Sequence, residues 1–249
     1  MSAGKDKNKK SKSEKHADGR GLKVRVHTAH RRSVSSTLWL ERQLNDPYVA
    51  KAKREGYRSR AAYKLIELDQ RFRILKPGQV VVDLGAAPGG WTQVAAKKVR
   101  SLDADGKGGK VVGLDILPMD AIEGAELLHF DFLELDAPVA LRKTLETMTG
   151  KNGADVVLSD MAPPATGQRD IDHIRIMNLV EAAVQFAAEV LNPGGVFIAK
   201  TWQGGTEAAL LAQLKRDYAS VKHAKPPASR PESAEVYVVA TGFRGGARR

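Results

Sequence analysis

The sequence predicts an α/β protein with a mostly parallel sheet and helices on both faces. Segments rich in Val, Ile and Leu, such as QVVVDLG, KVVGLDI and GGVFIAK, alternate with segments whose apolar residues recur at helical spacing. The strand segments are continuous apolar runs, which are typical of strands covered on both sides. Near the end, SVKHAKP and AEVYVVATGF follow one another without a helix between them, so we expect a hairpin-like end to the sheet.

The length and composition suit one domain with an appendage. With 249 residues and 42% apolar content the chain can bury one sizeable core. We expect a basic N-terminal arm over residues 1–35, a main domain over 36–244 and a short basic tail over 245–249. Residues 36–75 carry apolar residues at helical spacing with interruptions, which predicts two or three short helices at the start of the main domain.

The positive charge is concentrated at one end of the chain. Residues 1–60 hold 17 Lys and Arg against 6 Asp and Glu, whereas residues 61–249 hold 23 of each. A basic segment attached to a neutral body favours a polyanionic partner, because neutralised phosphates release counterions. Nucleic acid is the leading candidate, and a solvated tail that only aids solubility is the alternative.

Several kinds of chemistry are excluded or disfavoured by composition. The chain has no cysteine, so disulfides, zinc–thiolate sites and thiol catalysis are excluded. Its six histidines show no ligand spacing, and we expect no metal. The N-terminus lacks the apolar stretch of a signal peptide and no apolar run has the length of a membrane span, so we expect a cytoplasmic protein with no membrane association.

A glycine-rich turn follows the first predicted strand. In DLGAAPGGW, Gly85, Gly89 and Gly90 allow the backbone to approach a ligand. The spacing differs from the dinucleotide fingerprint, and Asp83 would repel a pyrophosphate while suiting the ammonium of an amino acid. The turn therefore indicates a cofactor with a cationic amino-acid tail, although a plain structural turn would show the same glycines.

Acidic residues end the next two predicted strands. Asp115 in GLDI stands where a carboxylate can accept hydrogen bonds from both hydroxyls of a ribose. Asp131 in HFDF is placed to accept a hydrogen bond from an adenine amino group, or else to cap a turn. Trp91, which follows the glycine turn, either contacts the cofactor or packs in the core. Together these residues indicate an adenosine-containing ligand.

The fourth and fifth predicted strands end in the residues best suited to catalysis. Ligands of such sheets bind outside the carboxyl ends of the strands, where LSDMAPP places Asp160 and GGVFIAK places Lys200. A lysine that closes an apolar strand is unusual unless it faces a cleft, because an unpaired buried ammonium is costly. The alternative is that the Lys200 side chain extends past the strand to solvent.

These blocks, in this order and spacing, resemble the FtsJ-type ribosomal RNA large-subunit methyltransferases. The resemblance rests on RSRAAYKLIELDQRF, DLGAAPGGWTQ, LDILPMD, LSDMAPP, GGVFIAKTWQG and SAEVYVVATGF, and it runs from about Trp39 to Phe243. It implies a Rossmann-like fold that binds S-adenosylmethionine, with a seven-stranded, mostly parallel sheet and an antiparallel C-terminal strand. It also implies methylation of a uridine 2′-hydroxyl in 23S ribosomal RNA, with the large ribosomal subunit as partner.

The resemblance also implies the roles of particular residues. The catalytic tetrad of the family falls on Lys64, Asp160, Lys200 and Glu235. Its cofactor residues fall on Gly89, Trp91, Asp115, Asp131 and Asp160, and Asp83, Gly85 and Gly90 line the same loop. One position departs from the pattern, since Pro164 stands where many members have asparagine.

The residues leave the mechanism and the substrate open. Lys200, if neutral at the moment of attack, accepts the ribose proton; in a second mechanism a charged Lys200 only orients the hydroxyl. Transfer RNA, a messenger RNA cap or a small hydroxyl compound could serve as the substrate of the same tetrad. A protein of another class, a ribosome-assembly factor that binds RNA without catalysis, is a further alternative. We expect a monomer, because no separate apolar patch can be identified.

Overall fold

The computed structural model describes residue 28 and residues 33–103, 107–150, 153–164, 166–203 and 208–245. Nearly all of the predicted basic arm, and residues 246–249 of the predicted tail, lie outside these ranges. Seven helices are described: α1 (Val34–Leu44), α2 (Pro47–Glu55), α3 (Ala62–Phe72), α4 (Gly90–Val99), α5 (Ala137–Thr149), α6 (Arg169–Val190) and α7 (Ala208–Asp217). Seven strands are described: β1 (Val80–Leu84), β2 (Lys110–Asp115), β3 (Glu126–His129), β4 (Ala154–Ser159), β5 (Leu191–Trp202), β6 (Tyr218–Ala224) and β7 (Glu235–Phe243).

All seven strands join one sheet in the order β3-β2-β1-β4-β5-β7-β6. The pairs from β3 to β5 are parallel, whereas β7 runs antiparallel to both β5 and β6. The predicted mostly parallel sheet with an antiparallel C-terminal strand is confirmed. The chain order reverses between β1 and β4, and sheets of this kind bind their ligands at the carboxyl ends of the strands beside such a reversal.

Helices cover both faces of the sheet because alternate residues of each strand point to opposite sides. On one face, Val82 of β1 and Phe197 of β5 pack against α5, α6 and α7. On the other face, Val81 of β1 and Ile198 of β5 pack against α3 and α4. All five residues of strand β1 are buried, which explains why four of them are Val or Leu and only Asp83 is charged.

The strand β3 is shorter and more exposed than the sequence suggested. It ends at His129, and it pairs only with β2 because it forms an edge of the sheet. Its first and last residues are exposed, in contrast to the buried central strands. Asp131 therefore lies two residues beyond the strand, in the turn that leads towards α5.

The chain forms two compact units that divide between Asp46 and Pro47. In the first, α1 begins after Ser33, whose hydroxyl accepts the amide N–H of Ser36 at 3.2 Å, an N-cap bond that satisfies a free helix donor. The second unit holds the remaining helices and the sheet. The predicted domain start at residue 36 stays a prediction.

Candidate active site

The glycine-rich turn joins β1 to α4 at the carboxyl edge of the sheet. Gly85 has φ of 70°, and a Cβ added there would lie 2.2 Å from the Met161 Cγ atom. Gly89 has φ of 109°, and an added Cβ would lie 2.4 Å from the Ile122 Cδ1 atom. A side chain at either position would be strained and obstructed, so the turn requires glycine at both.

A narrow cleft opens between this turn and the end of β4. Its lining combines backbone of the turn with acidic and hydroxyl groups from three segments: Ser59, Ala61, Asp83, Gly85, Ala86, Ala87, Pro88, Gly90, Trp91 and Asp160. The predicted loop residues Asp83, Gly85 and Gly90 and the predicted catalytic acid Asp160 therefore border one space. The lining does not include Gly89, Asp115 or Asp131, which were also predicted to contact the cofactor. A ligand in this cleft would touch both groups at once.

Asp83 is an acid buried in this lining. Its side chain is 1% exposed, and its Oδ2 atom accepts the Thr92 hydroxyl at 2.6 Å. Burial raises the pKa of Asp83 to about 7, aided by the negative charges of Asp160 and Asp115, while the Thr92 hydrogen bonds oppose the rise. A cationic group brought into the cleft would therefore stabilise the ionised form of Asp83.

Asp115, at the end of β2, holds the glycine turn to its neighbouring strand. Its Oδ2 atom accepts the amide N–H of Ala87 at 2.8 Å, and its Oδ1 atom accepts the amide N–H of Leu117 at 2.8 Å. Asp131 uses its Oδ1 atom to accept the amide N–H of Leu133 at 2.9 Å. Asp131 thus makes the turn-capping bond that the sequence allowed, and any contact with an adenine would come in addition.

Trp91 is mainly a packing residue. It is 3% exposed, its indole N–H donates to the Ala61 carbonyl at 2.8 Å, and its ring centroid lies 5.7 Å from that of Tyr237. These contacts tie α4 to the segment before α3 and to β7. Trp91 also lines the cleft, so packing and contact with a ligand are compatible.

The four predicted tetrad residues come together from four elements. Lys64 lies on α3, Asp160 directly follows β4, Lys200 lies on β5 and Glu235 begins β7. The Lys64 Nζ atom lies 2.7 Å from Glu235 Oε2 and 3.6 Å from Asp160 Oδ2. The Lys200 Nζ atom lies 3.1 Å from Asp160 Oδ1 and donates to the Asp160 backbone carbonyl at 2.6 Å.

The tetrad is enclosed and its formal charges balance. The side chains are between 9% and 16% exposed, so the ion pairs are shielded from most of the solvent. Burial by itself would raise the pKa of Asp160, but Lys200, Lys64 and the Tyr237 hydroxyl together hold that pKa below its ordinary value. Asp160 is therefore a carboxylate at neutral pH, placed between the Nζ atoms of two lysines.

Three residues of the site were missed by the sequence reasoning. The Tyr237 hydroxyl donates to Asp160 Oδ1 at 2.7 Å, and the Ser229 hydroxyl donates to Glu235 Oε1 at 2.6 Å. Burial, together with the charges of Asp160 and Glu235, raises the pKa of Tyr237 well above its ordinary value, so its O–H remains a donor. The third is Ser59, whose hydroxyl is buried at the cleft.

One signal could have found Tyr237. It stands two residues after Glu235 on a strand, so both side chains leave the same face of the sheet. Ser229 and Ser59 lie in irregular segments without periodicity, and they carry no comparable signal. The departure at Pro164 is accommodated, since its carbonyl accepts a hydrogen bond from Arg175 at 3.1 Å.

Two kinds of feature are absent from the described part of the chain. Within it, no group of three or more His, Asp or Glu residues is arranged to hold a metal ion. None of the described helices is long and apolar enough to cross a membrane. His16, His27 and His30 lie outside the described residues.

The sheet order, the glycine turn after β1 and the cleft beside it define a methyltransferase of the Rossmann-like class. Residues 57–243 match the FtsJ-like methyltransferase family, and the chain belongs to this family. It is 64% identical over 226 residues to the ribosomal RNA large subunit methyltransferase E of Paramagnetospirillum magneticum, covering 91% of this chain and 90% of that protein. The protein of the same name from Bradyrhizobium diazoefficiens is 59% identical over 227 residues, covering 91% and 96% of the two chains.

A solved structure supports the same assignment. A protein of Plasmodium falciparum described as a ribosomal RNA methyltransferase superposes with a TM-score of 0.65 at 30% sequence identity. The match covers 76% of this chain and 100% of that one. The predicted family and fold are therefore confirmed.

The raised pKa of Asp83 predicts a pH-dependent stability. Its folded-state pKa of about 7 exceeds the ordinary value of 3.8, so the folded protein holds this proton more tightly than the unfolded chain. The contribution of Asp83 to the free energy of unfolding is therefore greatest below about pH 4 and falls as the pH rises towards 7. The substitution Asp83→Asn keeps an oxygen that can accept the Thr92 hydroxyl, and it removes this loss of stability with rising pH. At pH 8 the free energy of unfolding of the variant should exceed that of the wild type by up to about 4 kcal/mol.

Chemical denaturation of the ligand-free proteins between pH 4 and pH 8 measures this difference. Asp136→Asn is the matched control, because Asp136 is exposed at the start of α5 and makes no capping bond there. Parallel stability curves for the wild type and Asp83→Asn would contradict the prediction.

Proposed function

We propose that this protein transfers the methyl group of S-adenosylmethionine to a ribose 2′-hydroxyl of RNA. The substrate we propose is a uridine of 23S ribosomal RNA in the large subunit, as the names of the relatives suggest for large-subunit RNA. The observation that carries the proposal is the closed Lys64–Asp160–Lys200–Glu235 cluster, which shares Asp160 with the cleft beside the glycine turn. Such a cluster can position a hydroxyl and accept its proton next to a bound cofactor.

The cleft fits S-adenosylmethionine in its chemistry. The backbone of Gly85 and Gly90 lines the cleft and would border the amino-acid portion. Asp83 suits its ammonium. We assign the ribose to Asp115 at the end of β2 and the adenine to Asp131, two residues beyond β3, in addition to the backbone N–H groups that both carboxylates accept. When bound, the cofactor supplies an electrophilic methyl group on a sulfonium.

We assign the proton transfer to Lys200. A ribose hydroxyl is too weak an acid to attack at neutral pH without a base, and Lys200 is fixed at the carboxyl end of β5 for that role. Lys200 enters the reaction as the neutral amine in this mechanism. Asp160 is then the weaker base, because the ordinary pKa of an aspartate lies far below that of a lysine and both Lys64 and the Tyr237 hydroxyl lower it. Its carboxylate instead stabilises the ammonium that forms on Lys200 at 3.1 Å.

Lys64 and Glu235 position and balance the centre. Glu235 is held by the Lys64 ammonium at 2.7 Å and by the Ser229 hydroxyl at 2.6 Å. With Glu235 neutralising Lys64, the second lysine adds little net positive charge next to the base. The pair is linked to Lys200 through Asp160, so we assign it the role of orienting the ribose beside the base.

We infer that the basic arm over residues 1–35 strengthens binding to RNA. This segment carries 11 Lys and Arg against 3 Asp and Glu, so it can neutralise phosphates without reading sequence. The methyltransferase domain over residues 36–244 would then supply the specific contacts. We further propose that the protein acts as a monomer in the cytoplasm.

The assignment of Lys200 predicts that Lys200→Ala loses methyl transfer by about 100-fold or more, the usual scale of a lost general base. The measurement is transfer of radiolabelled methyl to large ribosomal subunits that lack the modification, followed by mapping of the labelled nucleotide. The exposed Lys143 of α5 gives the matched control Lys143→Ala, which should keep full activity. If the wild type binds the cofactor and labels no RNA, the assembly-factor alternative is favoured instead.

The role of the arm predicts a change in salt dependence. A chain that begins at Ser33 lacks all 11 Lys and Arg of the arm but keeps the N-cap of α1. It should bind RNA more weakly at low salt, because the phosphates paired with the arm regain their counterions. The slope of log affinity against log salt should become shallower by about 0.7 to 0.9 for each phosphate that the arm no longer neutralises. Turnover at saturating RNA should stay unchanged, because the tetrad lies outside the arm. An unchanged slope would show that the arm is only a solubilising tail.

A further inference from the structure

The segment between β6 and β7 brings Ser229 to the tetrad without regular secondary structure. It spans residues 225–234, and the Ser229 hydroxyl donates to Glu235 Oε1 at 2.6 Å. Ser229 is 4% exposed, and its neighbour Ala228 is completely buried. Such a segment lacks the hydrogen-bond ladder of a strand, so its own turns and the side chains around it must satisfy its backbone and fix its position.

Two side chains from the region of α3 hold the backbone of Ala228. The Glu67 Oε2 atom accepts the Ala228 amide N–H at 2.6 Å, and the Arg60 guanidinium donates to the Ala228 carbonyl. The other oxygen of Glu67 accepts the Tyr48 hydroxyl at 2.9 Å, and the Arg60 guanidinium lies 5.7 Å from the centroid of the Tyr48 ring. Both backbone polar groups of Ala228 are therefore bound by side chains directly before Ser229.

Glu67 and Lys64 lie on the same face of α3, because they are three residues apart on the helix. The Lys64 Nζ atom lies 2.7 Å from Glu235 Oε2, whereas Glu67 binds the residue next to Ser229. One helix face thus fixes both oxygens of the Glu235 carboxylate. It binds one oxygen directly and the other through the segment between β6 and β7.

We propose that Glu67 is a positioning residue for methyl transfer, which keeps Glu235 in place through Ala228 and Ser229. This inference rests on the proposed function. Without the Glu67 carboxylate the segment can shift, and Glu235 then keeps Lys64 as its partner but loses the fixed hydroxyl. The ribose would be aligned less accurately, and alignment supplies much of the rate. Turnover should fall while cofactor binding is kept, because the cleft lining does not include Glu67 or Ala228.

The test measures turnover and affinity in Glu67→Met, which keeps an unbranched side chain and removes both acceptor oxygens. With large ribosomal subunits that lack the modification as substrate, kcat should fall about tenfold, the scale of a hydrogen bond to a charged group. The KM for the subunits, and the Kd for S-adenosylmethionine measured by isothermal titration calorimetry, should stay close to the wild-type values.

Glu67→Gln should restore turnover close to that of the wild type. Its amide oxygen can accept the Ala228 N–H, while its NH2 group can donate to the oxygen of the Tyr48 hydroxyl, which both donates and accepts. A kcat as low in Glu67→Gln as in Glu67→Met would contradict a role in holding Ala228.

Asp69→Ala is the matched control for stability. Asp69 is another carboxylate of α3, and its Oδ1 atom accepts the amide N–H groups of Ile74 and Leu75 at 3.0 and 2.8 Å, in the segment that leads to β1. This variant should lower the melting temperature and keep the wild-type kcat at a temperature where it is folded. An equal fall of kcat in Asp69→Ala and Glu67→Met would show that reduced stability alone lowers turnover, which overturns the inference.

Ser229→Ala tests the path from Glu67 to Glu235. If both residues act through one link, Ser229→Ala lowers kcat as well, and the double variant falls no further than the weaker single variant. Independent effects would instead multiply. Ser229→Ala leaves α3 intact, so it also carries the test if Glu67→Met does not fold.

An unchanged kcat in either single variant, or multiplied losses in the double variant, would overturn the inference. These results leave the proposed function standing, because the wild type still methylates the subunits. A wild type that binds S-adenosylmethionine and methylates no RNA would overturn the proposed function and the inference together.

Discussion

The site depends on one carboxylate that is shared by two lysines. An Asp160 carboxylate oxygen lies 3.1 Å from the Lys200 Nζ atom and another lies 3.6 Å from the Lys64 Nζ atom, and Asp160 also accepts the Tyr237 hydroxyl at 2.7 Å. A buried carboxylate without such partners would take up a proton or leave the interior. Each of these three donors comes from a different element, so the ionised Asp160 links α3, β5 and β7 to the end of β4.

The topology explains why these elements can meet. Because β4 and β5 are parallel, their carboxyl ends lie at the same edge of the sheet. Because β7 runs antiparallel to β5, the first residues of β7 lie at that edge too. Lys200 is paired directly with Tyr237 and Trp202 with Glu235, so the register of β5 and β7 fixes the tetrad. A seventh strand in the parallel sense would place its last residues at this edge and Glu235 at the opposite one.

The sequence predicted the parts of the site that stand at strand ends, and it missed those set by tertiary contact. Asp160 and Lys200 could be found because each follows or closes a buried apolar run, and Glu235 and Lys64 followed from the family resemblance. Lys64 and Glu235 lie 171 positions apart in the chain, so no local pattern relates them.

Ser229 and Ser59 lie in irregular segments, and the packing of Trp91 on Tyr237 depends on how α4 meets β7. The α/β class followed from the pattern of apolar segments, and the seven-stranded sheet with an antiparallel C-terminal strand followed from the family resemblance. The order of the strands was not predicted, and the early end of β3 reflects its exposed edge position.

The most direct test of this mechanism is the pKa of the Asp160 side chain, measured by carbon NMR titration of the carboxyl group and assigned with Asp160→Asn. We predict a pKa below the ordinary value in the wild type and a rise in Lys200→Met, where one ammonium is removed but the bulk is kept. A wild-type pKa at or above the ordinary aspartate value would contradict the mechanism. Asp160 would then be free to accept the ribose proton, and Lys200 would not be required as the base.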